Sequence, residues 1–174
     1  MTVGQYTFEY LLGFNVLGVP VPQGALRSFG KGRATVHKNQ DRLLPWRDTV
    51  QFAAEKAIAD HETPEIFPLG EGVGVAVATH FTINKAGSAP RTRVTYPTKW
   101  PDIDKLVRSI LDSLRPAGVY LDDKQVIWNV SSKVYPGEEG NSLHVPGVKI
   151  SVWRVELSHV VTSEGVPLDT RRAA

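Results

Sequence analysis

Residues 102–118, DIDKLVRSILDSLRPAG, decide the fold of this chain. From Ile103 to Leu114 the apolar residues recur with the 3.6-residue period of a helix. Asp102 stands at the expected N-cap, and Pro116 follows where a helix would end. The pattern predicts an amphipathic helix whose apolar stripe must pack against a sheet.

The rest of the chain supplies that sheet and a second helix. Apolar residues alternate with small or polar ones over 6–17, 73–81, 126–135 and 148–157, which predicts four strands. Helical spacing over 45–60 predicts the other helix, with Pro45 as its first residue. The order β-α-β-α-β-β predicts an α+β fold, a single domain in which two main helices pack on a mixed β-sheet. Residues 1–157 are expected to form this domain, and residues 158–174 a loose tail.

Length and composition exclude several classes of protein. The chain has 174 residues, of which 41% are hydrophobic and 22% charged, as expected for one globular domain. It lacks the run of about 20 apolar residues that a membrane helix needs, and no secretory signal is recognisable, so we expect a cytoplasmic protein with no membrane contact. The absence of cysteine excludes disulfides, thiolate catalysis and Cys-ligated metals.

Charge is unevenly distributed, although the net charge is only +2. A basic segment runs from residue 27 to residue 47, and a second basic group leads into the acidic cluster at 102–123. This arrangement indicates a polyanion partner whose backbone is brought up to bound metal ions. The candidate phosphate-binding residues are Arg27, Lys31, Arg33, Arg47, Arg91, Arg93 and Lys99.

Two pairs of carboxylates flank the predicted helix: Asp102 with Asp104, and Asp122 with Asp123. The helix would be roughly 17 Å long, and residues 115–121 can extend roughly 23 Å, so the pairs can meet at the helix N-terminus. Clustered carboxylates repel one another unless a cation neutralises them, and Mg²⁺ or Mn²⁺ suits such an all-oxygen site. Each pair alone also fits an ordinary helix cap or turn.

At these residues the sequence resembles the RusA-type Holliday junction resolvases. The shared features are the D-x-D motif at 102–104, the hydrophobic helix, and the D-D-x-Q-V motif at 122–126; residues 19–24, VPVPQG, with the basic segment after them, resemble the family's amino-terminal region. The resemblance implies a Mg²⁺-dependent endonuclease, with Mn²⁺ as a substitute, that acts as a homodimer and cuts branched DNA (four-way junctions) with symmetric nicks.

The resemblance also assigns roles to individual residues. It implies that Asp102, Asp104 and Asp123 bind metal, with Asp122 as a further candidate. The family has Asn directly after D-x-D and a functional Lys three residues later, where this chain has Lys105 and Arg108. The resemblance therefore implies that the catalytic set is Asp102, Asp104 and Asp123 with Arg108 or Lys105 as the cation.

Two other functions fit the same residues. A restriction-like metal-dependent DNA nuclease would also place a proline and an aspartate before a later acidic pair, and would use Lys124 as its catalytic lysine. A non-catalytic DNA-binding protein would use the carboxylates only as caps and turns. Replacing Asp104 with Asn separates an enzyme from a binding module, because only an enzyme would lose cleavage.

Overall fold

The computed structural model describes residues 3–24, 26–28, 35–37, 39–85, 87, 95–137 and 142–161. Its strands and helices follow in chain order: β1 (Val3–Leu17), β2 (Leu26–Ser28), β3 (Thr35–His37), α1 (Gln40–Ala59), β4 (Gly74–Thr82), α2 (Ile103–Leu114), β5 (Val126–Val134) and β6 (Gly147–Val161).

Four of these strands form one mixed sheet in the order β1-β6-β4-β5. β4 and β5 are parallel, and β6 is antiparallel to both β1 and β4. The sheet strands and two helices follow the order β-α-β-α-β-β, which confirms the predicted α+β fold. The short strands β2 and β3 add a two-stranded sheet that the sequence pattern did not predict.

The helices cover one face of the sheet. α2 connects the parallel strands β4 and β5, as such a crossover requires, and it has the bounds that its periodicity predicts. Leu106, Ile110 and Leu114 are fully buried on its inner face. This packing fixes α2 beside β5, which determines where its carboxylates lie.

The first helix begins earlier than predicted. It starts at Gln40, so Pro45 lies inside α1 instead of at its first position. Leu43 is fully buried and continues inward-facing spacing through Trp46 and Val50, so the core contacts of this extra turn compensate for the proline.

A bulge halfway along β1 changes which of its residues face each side of the sheet. Tyr10 pairs with Trp153 but Leu12 pairs with Val152, so Leu11 is an extra residue in the ladder. Alternation therefore puts Leu12 on the helix-covered face, whereas the aromatic residues before the bulge project from the opposite one. We call this second surface the outer sheet face; it carries Tyr6, Phe8, Tyr10, Trp128, Val130 and Trp153.

The last described strand passes residue 157, the predicted end of the domain, and ends at Val161. Residues 162–174, the remainder of the predicted tail, lie outside the described residues. No helix within the described ranges has the length and hydrophobicity needed to cross a membrane.

Candidate active site

Asp102 occupies the N-cap position of α2, but its side chain does not cap the helix. The carboxylate instead accepts a hydrogen bond of 2.5 Å from Lys105 Nζ, and about half of each side chain is exposed. This bond lowers the pKa of Asp102 and raises the pKa of Lys105. Asp102 is thus held ionised beside a cation, and the simple cap interpretation does not describe its side chain.

A cleft lies between α2 and β5, directly after Asp102. Asp104, Arg108 and Asp112 recur every four residues and line the helix side of this cleft. Asn129 and Ser131 of β5 line the opposite wall. Ser131 Oγ is 2.7 Å from Asn129 Oδ1 and 2.8 Å from Thr79 Oγ1, so the wall is a connected polar chain. Asp123 closes one end of the cleft, which therefore presents three carboxylates and one guanidinium.

The D-D-x-Q turn before β5 is locked in place by Gln125, which is buried. Gln125 Oε1 accepts hydrogen bonds from the backbone N–H groups of Leu121 and Asp122, at 2.9 and 3.0 Å. Its Nε2 donates to the carbonyls of Leu69, Gly70 and Val73. The glutamine thus ties the turn to the loop that precedes β4.

The two aspartates of this turn have different environments. Asp122 caps the 3-10 turn formed by Asp123–Gln125, accepting a bond of 3.1 Å from the Lys124 N–H, and this bond lowers the pKa of Asp122. Asp123 is exposed and lines the cleft. Together with Asp112, its charge adds to the effect of burial in raising the pKa of Tyr120. Of the two, Asp123 is the one available to a ligand in the cleft.

The predicted meeting of all four carboxylates at the helix N-terminus does not occur within one chain. Asp123 lies beside Leu111 and Asp112, near the C-terminal end of α2. Asp104 is eight residues earlier than Asp112, about 12 Å along the helix axis. Among the residues that the structure describes, no group of three Asp, Glu or His side chains could hold a metal ion. A fully extended return segment could bring the two pairs together, but the chain turns at Gly118 (φ +80°) and pairs with residue 69 at Tyr120.

A match to a protein-family profile identifies the family of the chain. The profile described as Endodeoxyribonuclease RusA matches residues 20–146, which is most of the chain. The chain belongs to the RusA endodeoxyribonuclease family. It is therefore a hydrolase that acts on DNA, and the family supports activity on Holliday junctions in general. No curated protein matches the chain closely enough to count as a relative. The matched span contains α2, the D-D-x-Q turn and both walls of the cleft.

The predicted DNA-contacting residues of this RusA-family chain fall into three groups. Lys31, Arg33, Arg91 and Arg93 lie outside the described residues, and the side chain of Arg27 in β2 is also outside the description. Lys99 is exposed in the segment before α2. Arg47 is engaged inside the protein: its Nη2 donates to the Asp112 carbonyl at 2.7 Å, and Nη1 is 3.6 Å from the Asp112 carboxylate. Arg47 therefore ties α1 to α2.

Sequence reasoning missed two groups at the RusA-family site. Asp112, Asn129 and Ser131 join the cleft, and the four-residue spacing of Asp104, Arg108 and Asp112 could have indicated the first of them. The second is Lys133, whose Nζ donates to the carbonyls of Lys99 and Pro101 at 2.9 and 2.8 Å. Burial lowers the pKa of Lys133, and the charge of Asp102 opposes this shift. Strand alternation alone gives no sign that Lys133 reaches a loop 32 residues earlier.

Proposed function

We propose that this RusA-family protein resolves four-way DNA junctions by symmetric nicks, that it requires Mg²⁺, and that it acts in DNA recombination and repair in the cytoplasm. The observation that carries the proposal is the family match over 20–146, which includes both acidic motifs. The arrangement of the cleft supports it, because carboxylates and a cation face one space that is open to a phosphodiester backbone.

The proposed catalytic carboxylates are Asp104 and Asp123, which line the cleft, and Asp102, which precedes it. Carboxylate oxygens are the type of ligand that Mg²⁺ prefers, and Mn²⁺ can substitute for it. Such an ion, when bound, would supply an activated water and charge neutralisation at the phosphate. The described carboxylates of one chain nevertheless form no group of three that could hold it.

We also propose that the protein acts as a homodimer. A four-way junction has approximate two-fold symmetry and must be cut on two strands, which suits two related sites. The outer sheet face offers an apolar surface for the contact. Its half-exposed residues would contribute about 500 Å² from each copy, close to the minimum for a specific interface; they include Tyr6 (52% exposed), Phe8 (47%), Tyr10 (58%), Trp128 (50%) and Val130 (51%).

Arg108 is the proposed catalytic cation. It is exposed and lines the cleft with Asp104 and Asp123, where it can stabilise charge on the phosphate. Lys105 donates a hydrogen bond to Asp102, so it is better placed to orient that carboxylate than to contact the phosphate. Lys124 is the lysine that a restriction-like nuclease would use. Its ammonium lies 3.7 Å from the Asp122 carboxylate, and the Lys124 side chain is 78% exposed. We expect Arg108→Ala to reduce cleavage more than Lys124→Ala.

The test uses a labelled synthetic four-way junction and a linear duplex of the same sequence, each with Mg²⁺ or EDTA. We expect paired symmetric nicks in the junction, which disappear with EDTA and in Asp104→Asn. Asp48→Asn is the matched control, because Asp48 is an exposed aspartate of α1 that does not line the cleft. Equal cutting of the linear duplex would indicate a restriction-like nuclease. Binding without metal-dependent cutting would instead indicate a DNA-binding module.

A further inference from the structure

The segment that delivers Asp102 to the site has no regular secondary structure. Residues 95–101 lead into α2 as irregular chain, and within it the Thr98 N–H donates to the Tyr96 carbonyl. The Asp102 carbonyl then accepts the first bond of α2, from the Leu106 N–H. An irregular segment places a carboxylate accurately only if something rigid holds its backbone.

Lys133 provides such a hold. Its ammonium donates to the carbonyls of Lys99 and Pro101, the third and first residues before Asp102, at 2.9 and 2.8 Å. Both are charge-assisted hydrogen bonds, which are about twice as strong as neutral ones. The side chain is also partly buried, so water competes less for the ammonium than at an open surface.

The backbone that carries Lys133 is firmly fixed. Lys133 pairs with Phe81 in the parallel ladder between β5 and β4, and Phe81 is fully buried. The next residue, Val134, accepts a hydrogen bond from the Ile83 N–H at 3.0 Å. Lys133 thus connects the irregular segment to the sheet itself.

We infer that Lys133 is a positioning residue, which holds the backbone of residues 99–101 so that Asp102 stays at its working position. β5 then sets both acidic motifs, because the 3-10 turn Asp123–Gln125 directly precedes this strand and Lys133 holds the segment before Asp102. The inference rests on the proposed function for its cleavage readout, whereas its structural readout is independent of any activity.

The experiment compares Lys133→Met with Lys133→Arg, which keeps the charge and several donors. Lys149→Met is the matched control, because Lys149 is a partly buried lysine of β6 in the same sheet. Amide hydrogen exchange is measured over residues 95–106, together with kcat and KM on the junction. For Lys133→Met we expect about tenfold faster exchange at the N–H groups of Thr98 and Leu106, with unchanged protection in β4. We expect kcat to fall about 10- to 100-fold while KM changes less than about twofold.

Lys133→Arg should recover most of the protection and most of kcat, and Lys149→Met should match the wild type in both. Unchanged exchange in Lys133→Met would overturn the inference. Recovery of protection without recovery of kcat in Lys133→Arg would also overturn it, because Lys133 would then act directly on the substrate. A wild-type protein that cleaves no junction would contradict the proposed function, and the exchange data would still decide the role of Lys133.

Discussion

Replacing Gln125 with Leu tests how the D-D-x-Q turn is held. The two side chains have similar volume, so the substitution removes hydrogen bonds and leaves little cavity. The wild-type side-chain oxygen accepts from two backbone N–H groups, and its nitrogen donates among three carbonyls. Leucine would leave these backbone groups without that partner at a position where only 8% of the side chain is exposed.

The expected loss follows from the number of groups left unpaired. Each buried backbone group that loses its partner costs about 1–3 kcal/mol, although water can reach some of them after the turn relaxes. We therefore expect the free energy of unfolding to fall by about 3 kcal/mol. For a chain of this size, that corresponds to a melting temperature lowered by roughly 6–12 °C.

Thermal unfolding followed by circular dichroism measures this change, with Gln51→Leu as the matched control. Gln51 is on the surface of α1 and makes one exposed hydrogen bond to Glu55, so its replacement should shift the melting temperature by less than about 2 °C. Junction cleavage by Gln125→Leu below its melting temperature should also fall, because Asp123 loses the support of the turn. If Gln125→Leu melts like Gln51→Leu, the turn does not depend on this glutamine and the reasoning is wrong.

Three further predictions concern single contacts. Lys105→Met should raise the pKa of Asp102 towards its usual value of about 4, which carboxyl NMR titration measures, and an unchanged pKa would contradict the prediction. Because the pKa of Asp102 is lowered in the folded state, the bond to Lys105 stabilises the folded state at pH values above the usual pKa. This contribution disappears as pH falls through the folded-state pKa. Arg47→Met should lower the free energy of unfolding in urea by about 1–2 kcal/mol through loss of the tie between α1 and α2, whereas an unchanged midpoint and slope would show that the tie contributes nothing. Gly147→Ala should lower the free energy of unfolding by about 1–3 kcal/mol, because the added Cβ would lie 2.4 Å from the Val16 carbonyl oxygen. Gly70→Ala is the control, since the new methyl group would have open space around it and stability should stay near wild type. Equal stability of the two variants would refute the steric argument.

Sequence periodicity predicted the sheet and α2 well because one period dominates in each segment. α2 has strong helical spacing and clear signals at both ends, and its bounds agree with the prediction. The start of α1 was wrong because a proline is a local signal, while Leu43 is buried through a tertiary contact that no local rule contains. The bulge at Leu11 was invisible for a similar reason: it depends on the register of β1 against β6, strands at opposite ends of the chain.

The candidate site was predictable in composition but not in geometry. The motifs identified Asp104, Arg108 and Asp123, which the structure brings to one cleft. The expected convergence on Asp102 failed because chain length gives only an upper limit on reach, whereas the turn at Gly118 and the pairing at Tyr120 determine the actual path. The role of Gln125 and the position of Lys133 depend on partners more than 30 residues away in sequence, which a local pattern cannot reveal.

The position of β6 between β1 and β4 has a consequence for synthesis on the ribosome. Among the described strands, β1 pairs only with β6, and their register joins Val3 to Val161. β1 must therefore wait until β6 has been synthesised before it gains its ladder. Such distant pairing slows folding, and the aromatic half of β1 stays without a partner strand during the wait. We expect nascent chains to depend on chaperones until residue 161 has left the ribosomal exit tunnel.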